Sequence, residues 1–137
     1  IKKEKQLKIG SGFPLRDFCF IDDTVNGFIK ILEGTNVEGE TFNIGSGFSI
    51  SIEQLCLLCM EILSYEVPIK FESKRIRPKN SEVDHLQCSF KKLNKKLGWK
   101  PEYSGEKGLT KGLKKFIEWL ETSEEHIQYK EFNKYIY

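Results

Sequence analysis

The chain has no surplus of either charge, no long apolar run and no dense cysteine framework, and each absence removes a class of function. Twenty-two basic residues against twenty acidic ones leave a net charge of +2 over 137 residues, too balanced to draw nucleic acid or a membrane by charge alone. No apolar stretch approaches the ~20 residues that cross a bilayer, and the start, Lys2-Lys3-Glu4-Lys5, lacks the apolar core of a signal peptide. A cytoplasmic protein without a membrane partner is expected. The chain opens at Ile1 without an initiator methionine, which reads as a trimmed or processed start.

The four cysteines, Cys19, Cys56, Cys59 and Cys88, sit in apolar company, which favours reduced thiols over disulfides. Cys56 and Cys59 have the CxxC spacing, but a zinc site needs a second ligand pair, and neither His85 nor His126 lies at a matching interval. Helix cysteines without a metal are the expectation. The lysine pairs Lys91-Lys92 and Lys95-Lys96 carry no interleaved aromatics of the kind that stack bases.

What is present is an alternation of strand and helix signals, with 39% apolar content, enough for one core. Arg16 to Ile21 reads as a short strand entering an Asp22-Asp23 turn, either carboxylate of which can cap the following helix. Val25, Phe28, Ile29 and Leu32 then recur at helical spacing, and Gly34 supplies the stop. Thr41 to Ile44 reads as a buried strand, with Gly45-Ser46-Gly47 as a tight turn.

Ser51-Ile52-Glu53-Gln54 fits a capping box, opening a helix whose Ile52, Leu55, Leu58, Cys59, Ile62 and Leu63 form one face. Val67 to Phe71 alternates as a half-buried strand, with Pro68 marking an edge or strand start. Beyond a charged loop from Arg75 to Glu82, Ser89 can cap a helix that ends at Leu97, with Gly98 in the left-handed position. A last helix begins near Ser104 and carries the stripe Leu109, Leu113, Phe116, Ile117 and Leu120. The organisation expected is one unit over residues 1–123 and a polar and aromatic tail over 124–137.

A phosphate-binding role would fall to arginine, whose planar guanidinium offers paired donors to an anion. Arg16 and Arg77 are the candidates, against the plainer reading of surface ion pairs. Tyr103-Ser104-Gly105-Glu106-Lys107 has the spacing of a catalytic tyrosine-lysine pair, but its place at the start of the last helix favours a capping segment. Asp22 and Asp23 could be taken for an acid and base pair. As adjacent residues they point in different directions, so structural hydrogen bonds are favoured.

Four blocks stand in order: Arg16-Asp17-Phe18 with Asp22-Asp23; Phe42-Asn43-Ile44-Gly45-Ser46-Gly47; Arg77-Pro78-Lys79-Asn80-Ser81-Glu82-Val83; and Leu97-Gly98-Trp99-Lys100-Pro101. In that order and spacing the chain resembles the second half of NAD-dependent epimerases and dehydratases of the extended short-chain dehydrogenase/reductase group, over roughly residues 7 to 120. At Ser89 the chain departs from the family's usual aspartate, one helix cap in place of another.

The resemblance implies an α/β fold, the C-terminal portion of such an enzyme, with mixed strands and helices and the N-terminal Rossmann part absent. It implies a substrate-binding role for Arg16 and Arg77 at the diphosphate of a nucleotide sugar (UDP-, dTDP-, GDP- or CDP-linked) and for Asn43 in the nucleotide pocket. Gly12 and Asn80 are implied wall residues. The family's NAD binds at a G-x-x-G-x-x-G loop that this chain lacks, so NAD is expected only in the parent enzyme, which would form a homodimer. No catalytic residue is expected here. The alternative is a stand-alone nucleotide or nucleotide-sugar binding module without catalysis.

Overall fold

The computed structural model describes residues 5–76, 78 and 81–123. The expected tail over 124–137, together with Arg77, Lys79 and Asn80, lies outside them. Two short sheets and four helices make up a mixed α/β arrangement: β1 (Leu7–Ile9), β2 (Leu15–Asp17), α1 (Ile21–Leu32), β3 (Ser49–Ser51), α2 (Ile52–Leu63), β4 (Ile69–Phe71), α3 (Lys91–Leu97) and α4 (Gly105–Thr122). β1 pairs in parallel with β4, Leu7 opposite Ile69, and β2 runs antiparallel to β3, Arg16 opposite Ile50. On β2's other side the Leu15 backbone donates to Asp84 and accepts from Leu86, 2.7 and 3.0 Å, so an irregular segment serves as its second neighbour.

The local chemistry of the helices explains their ends. α2 opens with the reciprocal box read from the sequence: the Ser51 hydroxyl accepts from the Gln54 amide and the Gln54 side chain accepts from the Ser51 amide. α3 stops at Leu97, where Gly98 takes φ 69° and its N–H closes on the Asn94 carbonyl. Pro68 sits just outside β4 and keeps a pairing role through its carbonyl, which accepts from the Leu7 amide at 2.9 Å.

Three expectations are corrected. The strand from Arg16 to Ile21 shortens to Leu15–Asp17, because α1 already begins at Ile21. Thr41 to Ile44 forms no strand: no ladder partner for it exists among the described residues. Phe20 rather than an aspartate is the N-cap of α1, and Phe90 rather than Ser89 that of α3, both without a side-chain cap bond.

The spacing of α1 left open which way the helix faces. Val25, Phe28, Ile29 and Leu32 share one face as their spacing demands, yet that face is open to solvent; Leu32 is 83% exposed. The helix packs instead through Asp23 and Gly27. A Cβ at Gly27 would stand 2.8 Å from the end of the Ile44 side chain, so a larger residue there would push Ile44 aside.

Asp23 is 2% exposed and accepts from the backbone N–H groups of Glu102 and Tyr103 at 2.7 and 2.9 Å. It therefore staples α1 to the turn that launches α4. Behind that staple lies the core, with Leu93, Trp99, Tyr103, Leu109, Ile50 and Met60 buried. Phe20 lies against Tyr103 and Phe90 meets Trp99 edge-on, ring centroids 4.5 and 5.7 Å apart. The core is thin: seven apolar residues are buried, while fourteen large ones are exposed among the described residues.

Asp23→Ala leaves two amides without their acceptor, which costs about 3 kcal/mol. Thermal denaturation should show a melting temperature lower by about 10 °C, as expected for a domain of this size; an unchanged value would contradict the staple.

Candidate functional site

The site grows from the alternation of β2, in which neighbouring residues face opposite sides. Asp17 turns toward the Gly45-Ser46-Gly47 turn. Its Oδ1 accepts from the Ser46 amide at 2.9 Å and the Ser46 hydroxyl at 2.6 Å, and its Oδ2 from the Gly47 amide at 2.9 Å and the Cys88 amide at 3.0 Å. Four donors satisfy one carboxylate, and three segments distant in sequence meet there. Gly45 is required at this junction, since a Cβ would fall 2.3 Å from that of Cys88.

Arg16, the preceding residue, is held by its own set of acceptors. Its guanidinium donates to Glu82 Oε1 at 2.6 Å, to the Val83 carbonyl at 2.7 Å and to the Leu15 carbonyl at 2.9 Å. The Arg16–Glu82 ion pair is largely shielded from solvent on both sides. Glu82 and Val83 close the sequence block that carries Arg77, and that end of the block is clamped against β2.

Arg16 and Asn43 line one open cleft of about 540 Å³, together with Asp17, Phe42, Gln87, Cys88 and Ser89. Gln87 is fixed there by donating to the Gly47 carbonyl at 2.6 Å. Along the same segment the Ser49 hydroxyl and a ring nitrogen of His85 are 2.9 Å apart. At the Phe42 end, Lys92 lies over the ring at 5.1 Å and donates to the Thr41 carbonyl at 2.9 Å. Hydrogen bonds from Lys92 and Lys96 hold the Glu40 carboxyl below the usual range. These pairings occupy one lysine of each pair that sequence reading weighed for nucleic acid.

Gly12 lies elsewhere. It is buried under the start of α2, where its carbonyl accepts from the Glu53 amide at 3.0 Å and a Cβ would meet Phe71 at 3.0 Å. Arg77 and Asn80 fall outside the described residues. Sequence reading missed Asp17, Glu82 and Gln87 as organisers of the cleft; the Arg16-Asp17 dipeptide and the Gly45-Ser46-Gly47 turn were the signals, and their pairing could have been suspected from the turn's need for an acceptor.

The Tyr103 and Lys107 spacing leads to no pair. The lysine at the Tyr103 hydroxyl is Lys115, 3.0 Å away, which also donates to Asp22 at 2.8 Å. Asp22 and the hydroxyl hold the Lys115 ammonium protonated far above the usual lysine range. This group edges a second, apolar groove of about 600 Å³ between Phe20, Leu109, Leu113, Phe116 and Trp119.

NAD finds no fit among the described residues. A dinucleotide pyrophosphate needs free backbone amides in a glycine turn leading into a helix N-terminus. Here the Ser46 and Gly47 amides are spent on Asp17, and Gly12 is packed shut. No group of three or more potential metal ligands occurs among the described residues, and no helix there is long and apolar enough to cross a membrane.

Two of the four sequence blocks, through Arg16-Asp17 and Phe42-Asn43-Ile44, thus line one cleft of a mixed α/β fold. The family model described as GDP-mannose 4,6 dehydratase matches residues 1–112. The chain belongs to this family of sugar-nucleotide dehydratases and epimerases. It is 30% identical to CDP-abequose synthase of Salmonella typhimurium over 116 residues, 83% of this chain and 38% of that protein. It is 34% identical to UDP-glucuronate 4-epimerase of Thermodesulfobacterium geofontis over 130 residues, 93% of this chain and 36% of that one.

Among solved structures, UDP-glucose 4-epimerase of Thermotoga maritima with UDP-glucose aligns at TM-score 0.64 and 30% identity, over 84% of this chain and 36% of that one. The dTDP-glucose 4,6-dehydratase of Bacillus anthracis aligns at TM-score 0.73 and 20% identity, over 89% and 36%, and speaks for the fold alone. The chain thus spans little more than a third of the length of these relatives.

Two outcomes test the site's framework. Asp17→Asn keeps the shape but turns an amide NH₂ toward backbone donors, which should cost roughly 3 kcal/mol and be seen in urea titration as an earlier midpoint. Burial pushes the thiols of Cys19, Cys56, Cys59 and Cys88 above their usual range, so less of each is thiolate at neutral pH. Alkylation by iodoacetamide at pH 7.5 should be slower in the native protein than in urea.

Proposed function

We propose that this chain is the nucleotide-sugar-binding portion of an NAD-dependent sugar-nucleotide dehydratase or epimerase, and that the cleft edged by Arg16 and Asn43 receives the nucleotide diphosphate. The observation that carries the reading is that Arg16 and Asn43 line one cleft, with Arg16 held by Glu82 and the Val83 carbonyl at the end of the Arg77 block. A cleft of about 540 Å³ is within the range that small-molecule sites occupy.

Arg16 enters with its Nη1 committed to two carbonyls and part of Nη2 to Glu82. Two backbone carbonyls and a carboxylate fix the plane of the guanidinium, which lowers the entropy a diphosphate must overcome on binding. A guanidinium so fixed suits a planar, paired-donor contact with phosphate oxygens. Asn43, exposed on the same cleft, offers an amide donor and acceptor to the nucleotide. Arg77 and Asn80 complete the diphosphate site in this reading, and Gly12, away from the cleft, seats the start of α2.

The reading takes its substrate class from the relatives, whose names specify CDP-, UDP-, GDP- and dTDP-linked sugars. The full enzyme oxidises the sugar, eliminates or inverts, and reduces again; NAD and the catalytic tyrosine and lysine belong to its other portion. The parent acts in the cytoplasm as a homodimer, without nucleic-acid or membrane partners.

Calorimetry with UDP-glucose, CDP-glucose and UDP on the 137-residue chain tests the proposal. Losing one charge-assisted contact at the diphosphate should weaken binding about tenfold to a hundredfold in Arg16→Ala. Arg16→Lys, which keeps the charge but not the fork, should fall between, and Asn43→Ala should weaken nucleotides while sparing inorganic pyrophosphate. Affinity unchanged in Arg16→Ala, with the circular dichroism of the native chain, would overturn the site.

A further inference from the structure

Sulfur is concentrated on α2. Half of the cysteines and the only methionine of the 137-residue chain fall within five consecutive positions, Cys56-Leu57-Leu58-Cys59-Met60, all inside the helix Ile52–Leu63. Cys59 and Met60 stand three and four residues beyond Cys56, the two spacings that bring side chains together on one helix face, with Cβ atoms about 5–6 Å apart. Helical side chains also lean back toward the N-terminus, so Cys59 and Met60 both incline over the turn that carries Cys56. Three sulfurs therefore share one patch.

Exposure across that patch runs from outside to inside. Both cysteines are half-buried free thiols, while Met60 is 4% exposed and belongs to the core. No side-chain hydrogen bond engages either thiol among the described residues, in contrast to Cys19, whose sulfur accepts from the Thr24 hydroxyl at 3.4 Å. Burial first, and then the charge of Cys56, push the Cys59 thiol above its usual range, as expected of two neighbouring sulfurs. Solvent reaches the patch through the thiols, and the thioether forms its floor.

No further cysteine, histidine or carboxylate joins the two thiols among the described residues, so the four-ligand shell of a structural zinc is missing. A cuprous ion has the opposite preference: it is soft and is selected by thiolate and thioether sulfur rather than by hard oxygen donors. We infer that Cys56, Cys59 and Met60 form a three-sulfur site on α2 that binds Cu(I). Two Cu–S bonds replace the two S–H bonds, the protons pass to solvent, and the Met60 sulfur donates a lone pair as a neutral third ligand. Copper stays Cu(I) throughout, so no oxidant or reductant takes part. Met60 is the donor that the expectation of metal-free helix cysteines left out of account. The site is independent of the nucleotide-sugar reading, since no residue of α2 lines the cleft of Arg16 and Asn43.

The test is a titration of the reduced 137-residue chain with Cu(I), free of oxygen, against bicinchoninic acid, whose visible absorbance reports the copper that the protein leaves behind. One equivalent should pass from the chelator to the protein. Iodoacetamide labelling of that complex, read by peptide mass spectrometry, should find Cys56 and Cys59 slowed about tenfold or more and Cys19 and Cys88 as reactive as before. Cys56→Ser and Cys59→Ser should each abolish the one-equivalent phase, and Cys19→Ser with Cys88→Ser should keep it. Met60→Leu, which conserves volume, should weaken it. Copper left with the chelator, uptake that survives Cys56→Ser, or protection of Cys19 and Cys88 instead would overturn the site. So would equal protection by Zn(II), or an ion that binds only by joining two chains in sedimentation, and unchanged affinity in Met60→Leu would remove the thioether from it. Where circular dichroism shows that a variant fails to fold, the labelling pattern of the unsubstituted chain decides.

Discussion

The Asp17 carboxylate is the point on which the described structure turns. One side chain takes hydrogen bonds from Ser46, Gly47 and Cys88, and so fixes a turn and an irregular segment to the end of a three-residue strand. None of these pieces could hold its position by regular pairing, since β2 and β3 share only three residue pairs. A carboxylate accepting several backbone N–H bonds gains strength from its charge, and its removal would orphan donors on two segments at once. Arg16, the next residue along, lines the same cleft as Asp17.

A second carboxylate, Asp23, does the same service for the helices. It reaches across to the Glu102 and Tyr103 amides and sets the angle at which α4 leaves. Between them the two aspartates replace much of what a larger core would contribute, and they account for how a chain with few buried apolar residues holds Trp99, Tyr103 and Leu93 in fixed contact. Burying a carboxylate is costly unless its lone pairs are met; here they are met by main-chain donors, joined at Asp17 by the Ser46 hydroxyl.

Much of this was legible in the sequence where the determinants are local. The Ser51 and Gln54 box, the Gly98 stop and the start of α4 after Ser104 depend on neighbours within a turn, and the structure has them where the residues said. The order of the four blocks carried the family as well. The direction of α1 was not legible, because periodicity tells which residues share a face and is silent on whether the cover for that face lies in the same chain. Thr41 to Ile44 failed as a strand for the same reason: composition favours extension, but a ladder needs a partner. Asp22 and Asp23 were read as caps, whereas Asp23 serves amides some eighty residues away, a relation that local pattern cannot encode. That Arg16 would meet Glu82 was equally hidden, for the pairing spans much of the chain.

The parallel pairing of β1 with β4 has a consequence for how the chain acquires its shape. Leu7 and Ile69 are about 60 residues apart, and everything from β2 through α2 lies in the loop between them. Closing so long a loop has an entropic cost that three residue pairs cannot offset alone, so β1 can add to the sheet only after the intervening elements have condensed. The first strand in the sequence is therefore fastened late, as a clasp over the elements that lie between it and its partner.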